Sequence, residues 1–374
     1  MAQHSHPPRR VAQSPKQNTF FGGAAVLAAG ILVVKLIGLF YKIPLLNIIG
    51  EQGTADFGNA YNIYAVLLTI STAGLPVAVS KLVSEANALG RQNQVRRTFR
   101  LAMALFLTLG VLSFLVMFFC ADQLAGLMHD SMAAPGIKAL APAVICVGCL
   151  SAFRGYAQGH GRMTPTAVSQ IIEALCKLTV GLGLAYWLGA DASHAAAGAI
   201  TGVTVGTIVA LAYMLMNFLI TRGQEGDLSD DRPDGAAKIL KELLMIAVPI
   251  TISSSMVGIV TVIDSSLVQG QLQRALLENP DTWALYQGIV DFTDLEQAMK
   301  AWQAALPQGS AVTMALLEQS MAGQGGQAEA AMALHTTLEG ISRTLYGNYN
   351  GALNIYNLPT SLMAAVTAAV IPAV

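Results

Sequence analysis

The chain has 374 residues, of which 54% are hydrophobic and only 11% charged, with a mean hydropathy of +0.54. A soluble domain carries about 25% charged residues, so this composition excludes an ordinary soluble enzyme and points to an integral membrane protein. The net charge of −1 decides nothing, because the placement of charge, not its sum, orients a membrane chain.

Residues 1–18 are polar, basic and proline-containing and predict a disordered cytoplasmic tail. The first spanning segment is predicted over 20–47. It is long enough, at about 1.5 Å per residue, to cross a hydrocarbon core of about 30 Å. It carries Lys35 near its middle and Lys42 seven residues on, two helical turns away on the same face, with Gly38 between them. An ammonium group at mid-bilayer costs at least a few kcal/mol unless it meets water or an anion. Lys42 lies near enough to a helix end to snorkel. Lys35 does not, and is predicted to face an internal polar cavity suited to an anionic cargo.

The second segment is 57–80, with Gly74-Leu75-Pro76 predicting a kink in its second half. The third is 101–121. The fourth is 139–158, with Arg154 near its end as a further candidate for the central cavity, and the fifth is 164–187, opened by Thr164-Pro165. The sixth is 195–221. The seventh is 243–268, kinked near Pro249, and Asp264 ends its uncharged run as a solvated helix-end carboxylate or an ion site. The eighth is 353–374. The expected fold class is thus all-α, a polytopic membrane helix bundle of about eight spanning helices. A six-helix lobe at 19–222 and a cytoplasmic linker at 223–242 precede the start of a second lobe at 243–374. Residues 269–346 form a helical excursion on the outer side, in which Leu295, Met299, Trp302 and Leu306 fall at helical spacing. The excursion caps the outer mouth or docks envelope-assembly proteins.

Loop charges predict a cytoplasmic N-terminus. The segments then placed inside hold fourteen basic residues, Arg96, Arg97 and Arg100 among them. The three short outer loops hold one, Lys138, beside acids that include Asp56 and Asp130.

In the fifth segment Glu173 precedes Lys177 by one turn, the favourable order for an ion pair. The pair serves either to make two intramembrane charges tolerable or to open toward a substrate phosphate or coupling cation. Cys146 and Cys149 have metal-site spacing, but an apolar setting makes them small buried hydrophobes. The sequence lacks a GxxxxGK[ST] phosphate loop and any HExxH or His/Cys cluster. The expectation is a transporter rather than an enzyme, with no metal and no cofactor. Na+, H+ or the membrane potential would energise it, and its partners would be membrane lipids rather than nucleic acid.

Four stretches carry a family resemblance: NIYAVLLTISTAGLPVAVSKLVSE from Asn62, FRGYAQGHGRMTPTAVSQIIEALCKL from Phe153, VIDSSLV from Val262 and TLYGNYNGALNIYNLPTSLMAAVTAAVIPAV from Thr344. They resemble polysaccharide-biosynthesis membrane proteins of the stage V sporulation protein B type. These are relatives of lipid II flippases within the multidrug/oligosaccharidyl-lipid/polysaccharide exporter superfamily. The resemblance implies two lobes that alternate between inward- and outward-open states and carry an undecaprenyl-pyrophosphate-linked sugar across the bacterial plasma membrane. It also implies that first-helix basic residues line the cavity, with Lys35 where relatives often carry arginine and Tyr41 where a lipid II flippase has another basic residue. Relatives continue beyond the position of Val374, so this chain resembles a first lobe plus the beginning of a second. A cation-coupled drug exporter and a membrane scaffold remain the alternatives.

Overall fold

The computed structural model describes residues 17–189, 191–222 and 231–357. They form helices α1 (Gln17–Thr72), α2 (Leu75–Ala88), α3 (Gln92–Phe119), α4 (Ala121–Leu127), α5 (Ala134–Gly159), α6 (Thr164–Cys176), α7 (Leu182–Trp187), α8 (Ala192–Arg222), α9 (Ala236–Glu278), α10 (Trp283–Tyr286), α11 (Thr293–Ala305), α12 (Met314–Met321) and α13 (Gly326–Tyr356). No strand occurs among the described residues.

Six helical stretches are long and apolar enough to cross a membrane. The longest supplies two crossings, because α1 is interrupted at Gly50, whose φ of 65° only glycine adopts without strain. In a straight helix Tyr41 and Tyr61 would stand about 30 Å apart. Instead they line one cavity, so the two halves of α1 run antiparallel. Seven of the eight expected crossings therefore fall on described residues. Most of the eighth, 358–374, lies outside them, as does the tail up to residue 16.

Three boundaries differ from the sequence reading, for one reason. Hydropathy marks where solvent begins, not where the backbone stops being helical. α3 starts nine residues before Leu101, α9 runs ten residues past Val268 until Asn279-Pro280 stops it, and α13 joins the excursion to the expected eighth crossing without a break. Asp264 is therefore not at a helix end. It is an exposed residue fourteen positions before the end of α9.

The predicted kink at Gly74 and Pro76 is a full break. Residues 73–74 leave the helix, and Pro76 sits in the first turn of α2, where its missing N–H costs nothing. Gly74 packs directly on the backbone of Ala247, so any side chain there would collide with α9. Its freed N–H donates to Thr251 Oγ1 at 3.2 Å. Pro249, inside α9, lies between these two contacts. The three residues singled out for kinking thus meet at one crossing.

Apolar attraction does not drive helices together in lipid, so close packing through small residues does. Gly198, Gly202 and Gly206, four residues apart on α8, lie against the fifth crossing. Gly198 meets Leu184, Gly202 meets the backbone of Gly181, and Gly206 meets the carbonyl of Glu173. That crossing is not a uniform α-helix. Lys177–Gly181 forms a π-turn between α6 and α7, a rare insertion frequent at functional sites.

The excursion has its own core. Trp302, Leu295 and Met299 are buried with Leu276 and Leu277 of α9 and Leu334 and Leu338 of α13, as the predicted amphipathic pattern requires, and Leu306 packs against it half-buried. Glu278 at the end of α9 accepts the N–H of Met314 at 3.1 Å, which ties α12 to the same helix.

Candidate functional site

A cavity of about 650 Å³ is lined by α1, α5 and α6, with the π-turn closing one side. Its wall brings together Lys35, Tyr41, Lys42, Arg154, Glu173 and Lys177, all six residues that the sequence reading placed in a central cavity. Depth follows from the ends of the first crossing. Gly23 packs against Gly161 and Met163 in the turn before α6, and Gly50 makes the opposite turn. Lys35 is about 18 Å from the first and about 22 Å from the second along the helix, close to the middle.

The expected Glu173–Lys177 pair is part of a larger cluster. Glu173 Oε1 meets Lys177 Nζ at 2.9 Å, and Glu173 Oε2 accepts from Arg154 Nη2 at 3.1 Å. Arg154 Nε donates to Ser169 Oγ at 2.9 Å, and that hydroxyl donates to the carbonyl of Thr166 at 2.7 Å. One carboxylate thus bridges two cations from different helices. With Lys35 and Lys42, the wall carries four cations against one anion. Lys35 makes no hydrogen bond or ion pair among the described residues. The hydroxyl of Tyr41 is buried and without a partner among them, beside Gly181 of the π-turn. The site is therefore a positively charged concavity with an unpaired ammonium and an unpaired hydroxyl, suited to an anion bearing hydrogen-bonding groups.

Sequence reasoning missed Tyr61 and Gln170 in the same wall. Tyr61 stacks on Phe57 at 6.0 Å and meets Tyr64 at 5.6 Å. Aromatic residues at i, i+4 and i+7 in an otherwise aliphatic crossing were the available signal. The glycine triplet of α8 was legible as a small-xxx-small pattern, and it marks the wall behind Lys177.

A second charged cluster seals the junction of α13 with α1. Arg343 of α13 is 6% exposed, Asp56 of α1 is 2% and Asp130, after α4, is fully buried. Arg343 donates from Nε to Asp56 Oδ1 at 2.8 Å and from Nη2 to Asp56 Oδ2 at 2.7 Å. It also reaches Ser193 Oγ at 3.1 Å, and its Nε lies 3.3 Å from Asp130 Oδ1. Asn59 donates to Asp130 Oδ2 at 2.8 Å and accepts from Gln269 of α9 at 3.0 Å. Gln273 of α9 donates to Ser342 at 3.0 Å, and Glu339 accepts the N–H of Ser131. Asp56 and Asp130, read from sequence as outer-loop acids, are thus withdrawn from water and paired. Burial, with Asp56 beside it, pushes the Asp130 carboxyl up to about 7.

Comparison with known proteins places this architecture. The family model described as "Polysaccharide biosynthesis protein" matches residues 20–293. The chain belongs to this polysaccharide biosynthesis protein family. Among Bacillus subtilis relatives it is 30% identical to the membrane protein YabM over 255 residues, which is 67% of this chain and 47% of YabM. It is 31% identical to stage V sporulation protein B over 54% of this chain and 39% of that protein. It is 33% identical to the lipid II flippase MurJ over 42% and 30%. The chain thus spans less than half the length of these relatives. Solved structures share the fold. A MATE transporter superposes with a TM-score of 0.55 at 15% identity, covering 94% of this chain and 72% of the transporter. A MOP superfamily transporter from Pyrococcus furiosus gives 0.54 at 13%, covering 96% and 71%. Family membership and the membrane-length apolar helices make this a multi-pass membrane protein that shares the fold of these transporters.

Proposed function

We propose that the chain carries the cargo cavity of a flippase for an anionic lipid-linked oligosaccharide, an undecaprenyl-pyrophosphate-linked sugar. In this reading the protein works by alternating access in the bacterial plasma membrane, with its N-terminus in the cytoplasm. One observation carries the reading: the cavity wall sets Lys35, Lys42, Arg154 and Lys177 against the single carboxylate of Glu173. A pyrophosphate moving from the headgroup layer to mid-bilayer needs positive charge at that depth. Lys35 supplies it as a point charge that holds no rigid bidentate geometry, so cargo can leave again. Tyr41 and Tyr61 add aromatic faces and a hydroxyl for sugar rings. Gly74, Pro76 and Pro249 form the crossing about which the lobe moves against α9. Na+, H+ or the membrane potential drives the cycle.

The fold shared with MATE transporters supports a second reading, a cation-coupled drug exporter. A cationic drug would meet four like charges, and the one acid is already held by two of them, so the electrostatics favour the first. A scaffold acting through residues 269–346 would need no charged cavity.

The test is flipping of a fluorescent undecaprenyl-pyrophosphate-linked sugar in proteoliposomes, using the full-length protein. Lys35→Ala is expected to abolish it, Lys35→Arg to keep much of it and Lys42→Ala to reduce it less, each at equal protein per vesicle. Parental transport by Lys35→Ala would overturn the cavity reading. Transport of a cationic dye but not the lipid would select the exporter.

A further inference from the structure

We propose that the cleft at the arginine-bearing end of α3 binds the headgroup of an anionic phospholipid. The cleft measures about 830 Å³, and Arg96, Arg97, Arg100, Phe99, Tyr156 and Phe218 form its walls. Among the described residues no carboxylate lines it. The three arginines share one face of α3 and span about 6 Å of rise. The apolar run begins at the next residue, Leu101. A headgroup layer is about 5–7 Å deep on each side of the hydrocarbon, so the guanidinium groups lie at phosphate depth.

Nearby acids are committed elsewhere. Asp231 accepts the N–H groups of Asn93 and Gln94 at 3.0 Å each, at the start of α3, and faces Arg91 at 4.0 Å. Asp234 faces Arg91 at 3.8 Å and Lys238 at 3.3 Å. Arg96 and Arg97 are half-buried and Arg100 is exposed, and none of the three has an acidic partner among the described residues. A half-buried guanidinium without an anion is costly, and a phosphodiester accepts two of its N–H groups at once.

The apolar surroundings make the ligand a lipid. The floor is a fixed aromatic cluster in which Phe99 lies 4.7 Å from Tyr156 and 5.1 Å from Phe218. Toward the membrane interior from Phe218 on α8, Leu215 and Met216 are 43% and 56% exposed and extend an apolar surface from the cleft into the hydrocarbon, where acyl chains run. Three cations, with no acid among the described lining residues, discriminate against the ammonium of a zwitterionic headgroup.

Native mass spectrometry of the full chain from mixed micelles tests this. The parent is expected to retain one phosphatidylglycerol in preference to phosphatidylcholine by about 10- to 100-fold, since each basic residue at a membrane surface is worth about five-fold. Arg96→Gln/Arg97→Gln/Arg100→Gln should erase that preference. Lys81→Gln/Lys238→Gln/Lys241→Gln, with the same charge loss outside the cleft, should keep it. If the arginine variant fails to fold, the parent in 0.5 M NaCl decides, because screening should remove the preference. Equal retention of the two lipids by the parent, or equal loss in both triple variants, overturns the proposal. So does a preference that survives the arginine substitutions or the salt. Displacement of the lipid by equimolar inorganic pyrophosphate would assign the cleft to a soluble phosphate instead.

Discussion

Replacing Arg343 with methionine isolates the charged seal between α1 and α13. The change removes one guanidinium and leaves Asp56 and Asp130, which are 2% and 0% exposed, without their shared counter-charge. Removing one partner of a buried ion pair costs about 3–5 kcal/mol. For a domain of a few hundred residues each kcal/mol lowers Tm by about 2–4 °C, so a fall of about 10 °C is expected. The fall should depend on pH, because the stranded carboxylates are relieved by protons. In the parent, Asp130 already holds a proton in the folded chain up to about 7, whereas an unfolded carboxyl releases it near 4. Between those values the folded state binds more protons than the unfolded one, so stability declines as pH rises through the window and levels off above it. The gap corresponds to about 4 kcal/mol at most. The charged groups facing Asp130 are Asp56, Arg343 and Glu339. Asp130→Asn should therefore flatten the parent's decline between pH 5 and pH 8. Arg343→Met should lose more at pH 8 than at pH 5, and Arg343→Met/Asp56→Asn/Asp130→Asn should recover most of the stability at both. The assay is intrinsic tryptophan fluorescence during heating, with Trp302, fully buried in the excursion core, as reporter. A Tm within about 1 °C of the parent for Arg343→Met, or an equal loss at both pH values, would refute this account of the seal.

The remaining predictions concern the cavity wall and the orientation. Glu173→Gln should reduce membrane-inserted protein more than Lys177→Met does, because the first leaves Arg154 and Lys177 unpaired whereas the second leaves the Arg154–Glu173 bond in place; quantitative blotting of membranes checks the order. Gly202→Leu should destabilise by several kcal/mol, since its side chain would occupy the backbone of Gly181. Gly183→Ala, with open space around it, should be neutral or slightly stabilising in the same melting assay. With the N-terminus inside, Gln303→Cys should react with an impermeant thiol reagent on intact cells and Lys241→Cys should not; the reverse would overturn the orientation.

Much of this architecture was legible because a bilayer narrows the choices. A run such as 20–47 must be helical, and a lysine at its middle must face something polar, so Lys35 pointed to the cavity before any contact was known. Glu173 and Lys177 were legible as i, i+4 neighbours. Arg154 was not legible as their third member, because nothing in its sequence setting says that α5 lies beside α6. The same limit hid the α1–α13 seal. Asp56, Asp130, Ser193 and Arg343 span nearly 290 residues, and each alone is an ordinary loop or helix polar residue. Only the packing of α13 against α1 turns them into a buried network. The π-turn was invisible for a different reason. Its end at Gly181 packs directly on Gly202 of α8, a contact that neither stretch alone discloses.

The two charged clusters have opposite balances, and the difference matches what each must do. The cavity holds an excess of positive charge with Lys35 uncommitted, which favours an anionic occupant. The α1–α13 cluster has the reverse balance, with Arg343 shared between Asp56 and Asp130 near Glu339, and with hydrogen bonds from Asn59, Ser193, Gln269 and Gln273 around them. A seal of this kind is sensitive to loss of any one member, because that strands a buried charge. It is weak against separation as a whole, because every member then regains water. An apolar seal behaves the other way. Loss of one side chain is tolerated, and separation exposes its full area at about 25 cal/mol per Å². Under the alternating access proposed above, a barrier that stays closed at rest and still opens is better made from paired buried charges than from leucines. That is the chemistry found where α13 meets the first lobe.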